Sequence, residues 1–143
     1  MPSAARSIVI NRPVSVVFAY FTDHDNDPNW RPVVKEIRAE GPPGVGTRVH
    51  QVLTVHGRGI PGDFEITVYD PPQNYAFNVV AGPVRPQGTY RFAEVSGGTE
   101  VTLTLRADLR GLKKLLMSGG VQKSMEAEVA GLDRAKQLLE SAG

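Results

Sequence analysis

Histidines and carboxylates are the side chains of this sequence with the clearest capacity for catalysis or metal binding. His24 lies in the acidic stretch DHDND, residues 23–27, and alternating carboxylates of this kind begin a calcium-binding EF-hand loop. That loop requires glycine at its sixth position and glutamate at its twelfth, where this sequence has Pro28 and Val34. We therefore interpret residues 23–28 as a solvated loop that ends a helix.

The other two histidines do not form a metal site by their spacing. His50 and His56 are six residues apart in a segment that alternates like a strand, which separates them by roughly 20 Å on its outer face. The sequence has no cysteine, so a thiolate nucleophile and a cysteine-based metal site are excluded. We expect no metal and surface positions for both histidines.

A glycine motif at residues 57–62, GRGIPG, matches the dinucleotide-binding pattern G-x-G-x-x-G by letter. That pattern binds pyrophosphate only where the loop opens a helix. Here Pro61 is followed by the alternating Phe64, Ile66 and Val68, which predict a strand instead. We expect no nucleotide and no cofactor.

The remaining carboxylates do not suggest a catalytic centre. Glu126, Glu128 and Asp133 lie close together near the C-terminus, and we interpret them as a solvated helix face. No histidine is evidently paired with a carboxylate in a buried position, so the sequence offers no clear catalytic constellation.

Composition indicates one ordinary globular domain over residues 1–143. Apolar residues make up 41% and charged residues 22% of the chain, and 143 residues are enough to bury a substantial core. The net charge of +1 gives no reason to expect a nucleic-acid partner. No apolar run approaches the ~18 residues of a membrane helix, so we expect a cytoplasmic protein, either monomer or homodimer, without integral membrane association.

Hydrophobic periodicity predicts a strand, a helix, about six further strands and a long final helix, which is an α+β domain. The predicted strands cover residues 7–11, 33–39, 47–56, 60–69, 75–80, 84–94 and 99–109, and the helices cover 13–22 and 112–140. Within the last helix, the pair Gly119–Gly120 is open to two interpretations. It marks a kink or a break between two helices, or it leaves room for a ligand.

Several segments resemble the START-like helix-grip superfamily, in the polyketide cyclase/dehydrase-like branch called SRPBCC. They are INRPVSVVF at residues 10–18, Trp30, GVGT at 44–47, EITVYDPP at 65–72 and GTEVTL at 98–103. The resemblance implies a START/Bet v 1-like fold, a curved antiparallel sheet of six to seven strands around a long C-terminal helix. It also implies a ligand tunnel between sheet and helix, with the loop before Trp30 near its mouth.

Strand parity selects the side chains that would face such a tunnel, although each of them is equally compatible with plain core packing. The candidate ligand-binding residues are Phe21, Trp30, Val49, Gln51, Phe64, Ile66, Tyr75, Phe77, Tyr90, Phe92, Met117, Gly120, Val121 and Met125. Gln51 is the single amide on an otherwise apolar strand face, and a few polar groups in an apolar pocket are typical of small-molecule sites. We expect Gln51 to lack a protein partner and to contact the ligand.

These observations favour a protein that binds a hydrophobic small molecule such as a lipid, polyketide or isoprenoid-like compound. The first alternative is an enzyme, a polyketide cyclase/aromatase or dehydratase, whose chemistry would require a positioned acid or base. The second alternative is a protein-interaction module.

Overall fold

One antiparallel sheet forms most of the molecule. The computed structural model describes residues 2–109 and 111–142, with the side chains of residues 111–118 outside that description. The strands are β1 (Ser3–Ile10), β2 (Val34–Ala39), β3 (Arg48–Val55), β4 (Arg58–Pro61), β5 (Phe64–Asp70), β6 (Asn74–Val79), β7 (Gln87–Val95) and β8 (Gly98–Arg106). Their order is β1-β8-β7-β6-β5-β3-β2, and the short β4 pairs with β3 alone. This agrees with the predicted six to seven strands apart from the additional four-residue β4.

Helices cover one face of this sheet. They are α1 (Val14–Thr22), α2 (Asp27–Trp30), α3 (Gly111–Ala130) and α4 (Leu132–Ser141), with a single 3-10 turn at His24–Asn26 between the first two. The C-terminal helices pack mainly on β1 and β8, and α1 packs on β7. None of the helices in the described part of the chain is both long and apolar enough to cross a membrane.

The C-terminal helix predicted as continuous over residues 112–140 is two helices with a break at Gly131. A side chain at Gly131 would lie 3.2 Å from the carbonyl oxygen of Trp30 and 3.3 Å from the indole ring of Trp30. The end of α2 therefore packs directly against the break between α3 and α4. The pair Gly119–Gly120 lies within α3, so it does not mark a break between two helices. Periodicity concealed the break because Leu132 follows Val129 at a helical spacing of three.

The strand predicted over residues 60–69 is also divided, into β4 and β5. Pro61 ends β4 because proline has no N–H for the ladder, and Gly62 instead donates its N–H to the carbonyl of Gln51. At this division, Asp63 binds His50 on the outer face, and the Gly62 carbonyl accepts a hydrogen bond from the Gln51 side chain. The contact between Gly62 and Gln51 belongs to the candidate site.

The inner face of the sheet carries the core, as the alternation predicts. The buried side chains of its strands include Ile10, Val49, Phe64, Ile66, Tyr75, Tyr90, Phe92, Val101, Leu103 and Leu105. Helical side chains that complete the core are Val17, Phe18, Phe21, Trp30, Met125, Val129, Leu132, Ala135 and Leu139. The α+β class is thus confirmed.

Candidate functional site

Aromatic side chains line the centre of the inner face. Tyr75 and Tyr90 are cross-strand partners on β6 and β7, and Phe21 of α1 packs on Tyr90 with ring centroids 5.4 Å apart. Trp30 of α2 meets Phe21 edge-on at 5.2 Å. Pairs at these distances contribute beyond their buried area, so α1, α2 and the sheet hold one rigid aromatic wall.

A hydrogen-bonded chain of three polar side chains, formed by Asp27, His24 and Tyr75, is buried against this wall. The His24 ring accepts or donates at both nitrogens, with Nδ1 at 3.0 Å from Asp27 Oδ2 and Nε2 at 2.5 Å from the Tyr75 hydroxyl. Asp27 is 1% exposed and Tyr75 is 0% exposed. Because an ionised carboxylate accepts only, His24 Nδ1 donates to Asp27, and His24 Nε2 shares a hydrogen bond with the Tyr75 hydroxyl, which is able to donate or accept.

Arg31 joins this chain to the C-terminal helix. Its Nη1 donates to Asp27 Oδ2 at 2.8 Å, and its Nε and Nη2 donate to the two carboxylate oxygens of Glu128 at 3.0 and 3.1 Å. Burial by itself would lower the pKa of Arg31, but the charges of Glu128 and Asp27 raise it above its ordinary value. The guanidinium is therefore a fixed positive charge that connects α2 to α3.

Burial also keeps the two central tyrosines protonated. The pKa of Tyr75 is raised first by burial and then by the negative charge of Asp27, and the pKa of Tyr90 is raised by the same two causes in the same order. Tyr75 is thus a protonated phenol that shares a hydrogen bond with His24 and does not rest as a phenolate.

Two expectations about the acidic residues are wrong. Residues 23–28 are not a solvated loop, because His24 and Asp27 are buried and belong to the 3-10 turn and α2. Glu128 is not solvated either, since its side chain is 22% exposed and paired with Arg31. The sequence did contain a signal: Asp27 lies three residues after His24 and four before Arg31, the spacing of side chains that meet on helical turns.

Gln51 has a protein hydrogen-bond partner at each end of its amide, contrary to the expectation that it lacks one. Its Nε2 donates to the Gly62 carbonyl at 2.8 Å, and its Oε1 accepts from Arg31 Nη1 at 3.2 Å. It is 4% exposed. These partners were not foreseen because they come from the β4–β5 junction and from the segment after α2, neither of which strand parity can locate. The contact of Gln51 with a ligand stays a prediction.

The other candidate residues have different environments. Val49, Phe64, Ile66, Phe92 and Met125 are buried, while Phe77 and Val121 are half-buried against the core. Gly120 is exposed, and a side chain there would meet no described atom within 4 Å. The side chain of Met117 lies outside the described residues.

Two clefts of the described residues lie away from this site. One of about 510 Å³ lies between residues 11–14 and 94–98. The other, of about 560 Å³, lies between residues 72–74 and 91–94. His24, Asp27 and Tyr75 line neither of these clefts. Among the described residues, no group of three or more histidine and carboxylate side chains is placed to hold a metal ion.

Comparison with known proteins places this geometry in a known fold. TTHA0849 from Thermus thermophilus shares 23% sequence identity and a TM-score of 0.82, with 99% of each chain covered. A START superfamily protein from Mycobacterium smegmatis shares 10% identity and a TM-score of 0.80, again over 99% of each chain. The di-domain ARO/CYC StfQ of the steffimycin biosynthetic pathway shares 15% identity and a TM-score of 0.81 over 98% of this chain and 51% of its own.

These neighbours confirm the START-like helix-grip fold expected from the sequence. No curated protein sequence matches the chain. The family described as polyketide cyclase/dehydrase and lipid transport matches residues 1–140. Because this match covers almost the whole chain and agrees with the structural neighbours, the protein belongs to the polyketide cyclase/dehydrase and lipid transport family.

Proposed function

We propose that the protein binds a hydrophobic small molecule on the inner face of the sheet, with the polar chain of His24, Asp27 and Tyr75 at one end. The observation that carries the proposal is this buried polar chain inside an aromatic wall. Burying such groups costs free energy that their hydrogen bonds recover only in part, so their presence in an aromatic wall favours a role in recognition or chemistry. An apolar pocket with a few fixed polar groups is how small-molecule sites are generally built.

Partly exposed apolar side chains favour the β3–β6 half of the inner face as the place where the ligand lies. Leu53, Phe77 and Val79 are half-buried. Val79 pairs with the buried Phe64 and therefore lies on the inner face of the sheet. The C-terminal helices cover mainly β1 and β8. A side chain at Gly88 would collide with the Phe77 ring, so this ring packs directly against the β7 backbone at Gly88.

Filling that half of the face should block binding. We expect Val79→Phe to weaken binding of the neutral fluorescent probe N-phenyl-1-naphthylamine about tenfold, the equivalent of about 1.4 kcal/mol. Val68→Phe is the matched control, because Val68 is 41% exposed on the outer face of the neighbouring β5. Calorimetry gives both affinities.

Trp30 supplies an independent measurement, since it is the single tryptophan of the chain. We expect saturable quenching or a shift of its emission when the probe binds to the wild type. Probe binding that leaves the emission unchanged would place the ligand away from α2. Equal affinities for the two Val→Phe variants would contradict the inner-face site, and absence of binding would favour the interaction-module alternative.

A second candidate function is acid–base catalysis, favoured by the chain from Asp27 through His24 to Tyr75. The Tyr75 oxygen could accept a substrate proton as its own proton moves to His24 Nε2, and Asp27 would stabilise the resulting imidazolium. A dehydratase of this kind removes the α-proton of a β-hydroxy ketone and returns it to the departing hydroxyl, so that an enone and water form.

The test of catalysis uses 4-hydroxy-4-phenyl-2-butanone and follows formation of the conjugated enone by its absorbance. If Tyr75 relays the proton, Tyr75→Phe lowers the rate about 10²- to 10⁴-fold with little change in probe affinity. Tyr69→Phe is the control, because Tyr69 packs edge-on against Tyr75 without belonging to the chain. No wild-type rate above that of buffer would reject this reaction and leave the binding proposal intact.

A further inference from the structure

Two buried polar atoms of the candidate site have no hydrogen-bond partner among the described residues. They are Oδ1 of Asp27 and Nε1 of Trp30, and their residues are 1% and 2% exposed. Leaving a buried donor or acceptor unpaired is costly, most of all for a charged group. The rest of this network is well paired, so these two atoms require a separate explanation.

The two atoms lie on one structural unit. Asp27 and Trp30 are the first and last residues of α2, and side chains three residues apart on a helical turn share a face. The other oxygen of Asp27 is occupied by His24 and Arg31. The unpaired atoms are therefore held in fixed positions by the same contacts that build the site.

Their chemistry is complementary. A carboxylate oxygen accepts, and an indole N–H donates. A ketone would satisfy Trp30 alone, and an ammonium group would satisfy Asp27 alone. A ligand carboxylate would be repelled by Asp27 and Glu128, whose charges face a single arginine, Arg31. A neutral hydroxyl both donates and accepts, and so it matches both atoms.

We propose that Asp27 Oδ1 and Trp30 Nε1 form a recognition site for a hydroxyl group, so that the ligand is a neutral aromatic or alicyclic alcohol or phenol. The ligand hydroxyl donates to Asp27, and a ligand oxygen accepts from Trp30. This inference rests on the proposed binding function and specifies the class of ligand.

The test measures the affinities of four probes that share one ring system: naphthalene, 2-naphthol, 2-methoxynaphthalene and 2-naphthoate. We expect wild-type protein to bind 2-naphthol at least about 30-fold more tightly than naphthalene, the lower bound that a neutral plus a charge-assisted hydrogen bond would give. The methoxy compound accepts but does not donate, so its affinity falls between those two. Naphthoate should bind more weakly than naphthalene.

A variant then assigns the donor. Trp30→Phe keeps an aromatic ring but removes the N–H, and we expect it to reduce the preference for 2-methoxynaphthalene over naphthalene, a ratio of two affinities measured on the same variant, to about onefold. Tyr69→Phe, which also removes one polar hydrogen from a core aromatic, should preserve the preference. The probe series on wild-type protein does not depend on whether Trp30→Phe folds.

The outcomes separate this inference from the binding proposal. If naphthalene and 2-naphthol bind equally, the pocket exists but a buried water satisfies the two atoms, and the hydroxyl site is rejected. If Trp30→Phe keeps the full preference for the methoxy compound, Trp30 is not the donor and the assignment is rejected. If none of the four probes binds, the proposed function itself fails.

Discussion

Two histidines of this protein each lie between two hydrogen-bonding side chains, one inside the sheet and one outside. His24 connects Asp27 and Tyr75 within the aromatic wall. His50 connects Asp63 and Glu40 at 2.6 and 2.8 Å on the outer face, where its side chain is 34% exposed. The number of partners is the same, and the difference is access to water.

The two regions meet on β3. His50 and Gln51 are adjacent and point to opposite faces, and they bind the adjacent residues Asp63 and Gly62 of the β4–β5 junction. On the outer face water can replace a lost partner, whereas on the inner face nothing does. A histidine between two hydrogen-bonding side chains therefore reinforces the sheet on the outer face, whereas on the inner face the positions of its partners are fixed by burial.

The largest expected effect is removal of the carboxylate that holds the inner chain. Asp27→Ala leaves Arg31 and His24 without their shared partner, and breaking a buried pair in this way costs about 3–5 kcal/mol. Asp63→Ala, the matched change beside His50, should cost far less. Urea denaturation gives both free energies of unfolding, and equal losses would contradict the distinction between the two regions.

The substitution Gln51→Leu is expected to cause the next largest loss of stability. The substitution leaves the Gly62 carbonyl and one Arg31 N–H unpaired, so we expect a loss of about 1–3 kcal/mol in the free energy of unfolding. Thr54→Leu, at an exposed position of the same strand, serves as the control. If the melting temperature of Gln51→Leu stays constant or rises, the hydrogen bonds of the amide do not stabilise the fold. That result would favour a role for Gln51 as a ligand contact.

Tyr75→Phe removes a single hydroxyl and should cost less again. We expect about 1 kcal/mol, the value of one net hydrogen bond, because the ring and its aromatic contacts remain. The free energy of unfolding is compared with that of Tyr69→Phe. A loss as large as that of Asp27→Ala would mean that the chain from Asp27 to Tyr75 is stabilised as a unit.

The smallest expected effect is the contribution of His50 to the pH dependence of stability. Hydrogen bonds to Asp63 and then to Glu40 raise the pKa of His50 above its ordinary value of 6.5. A raised folded-state pKa stabilises the protein fully below the unfolded-state value and loses that contribution as the pH rises through the folded-state value. The melting temperature of the wild type should therefore fall relative to His50→Gln between pH 6 and pH 9.

Salt provides the control for this prediction, because the interaction is exposed and should weaken at high ionic strength. A difference between wild type and His50→Gln that is independent of pH would show that the histidine acts through packing alone.

Much of the fold could be predicted from periodicity, but the site could not. Alternation placed Phe64, Ile66 and Tyr75 correctly on the inner face, since side-chain direction in a strand depends on parity alone. The polar chain was missed because an acidic stretch with proline was interpreted as solvated. Asp27 is buried because α2 packs between β2 and α4, and no local pattern in the sequence records these long-range contacts.

The sequence by itself determined the elements, the inner face of the sheet and the resemblance to a family, because these depend on periods and segments that are read over a few residues. The tertiary structure decided which polar groups meet. His24 and Tyr75 are 51 residues apart, and Arg31 and Glu128 are 97 apart. Such pairings form only when distant elements dock, and the low dielectric of the interior then makes each partner, or its absence, energetically decisive.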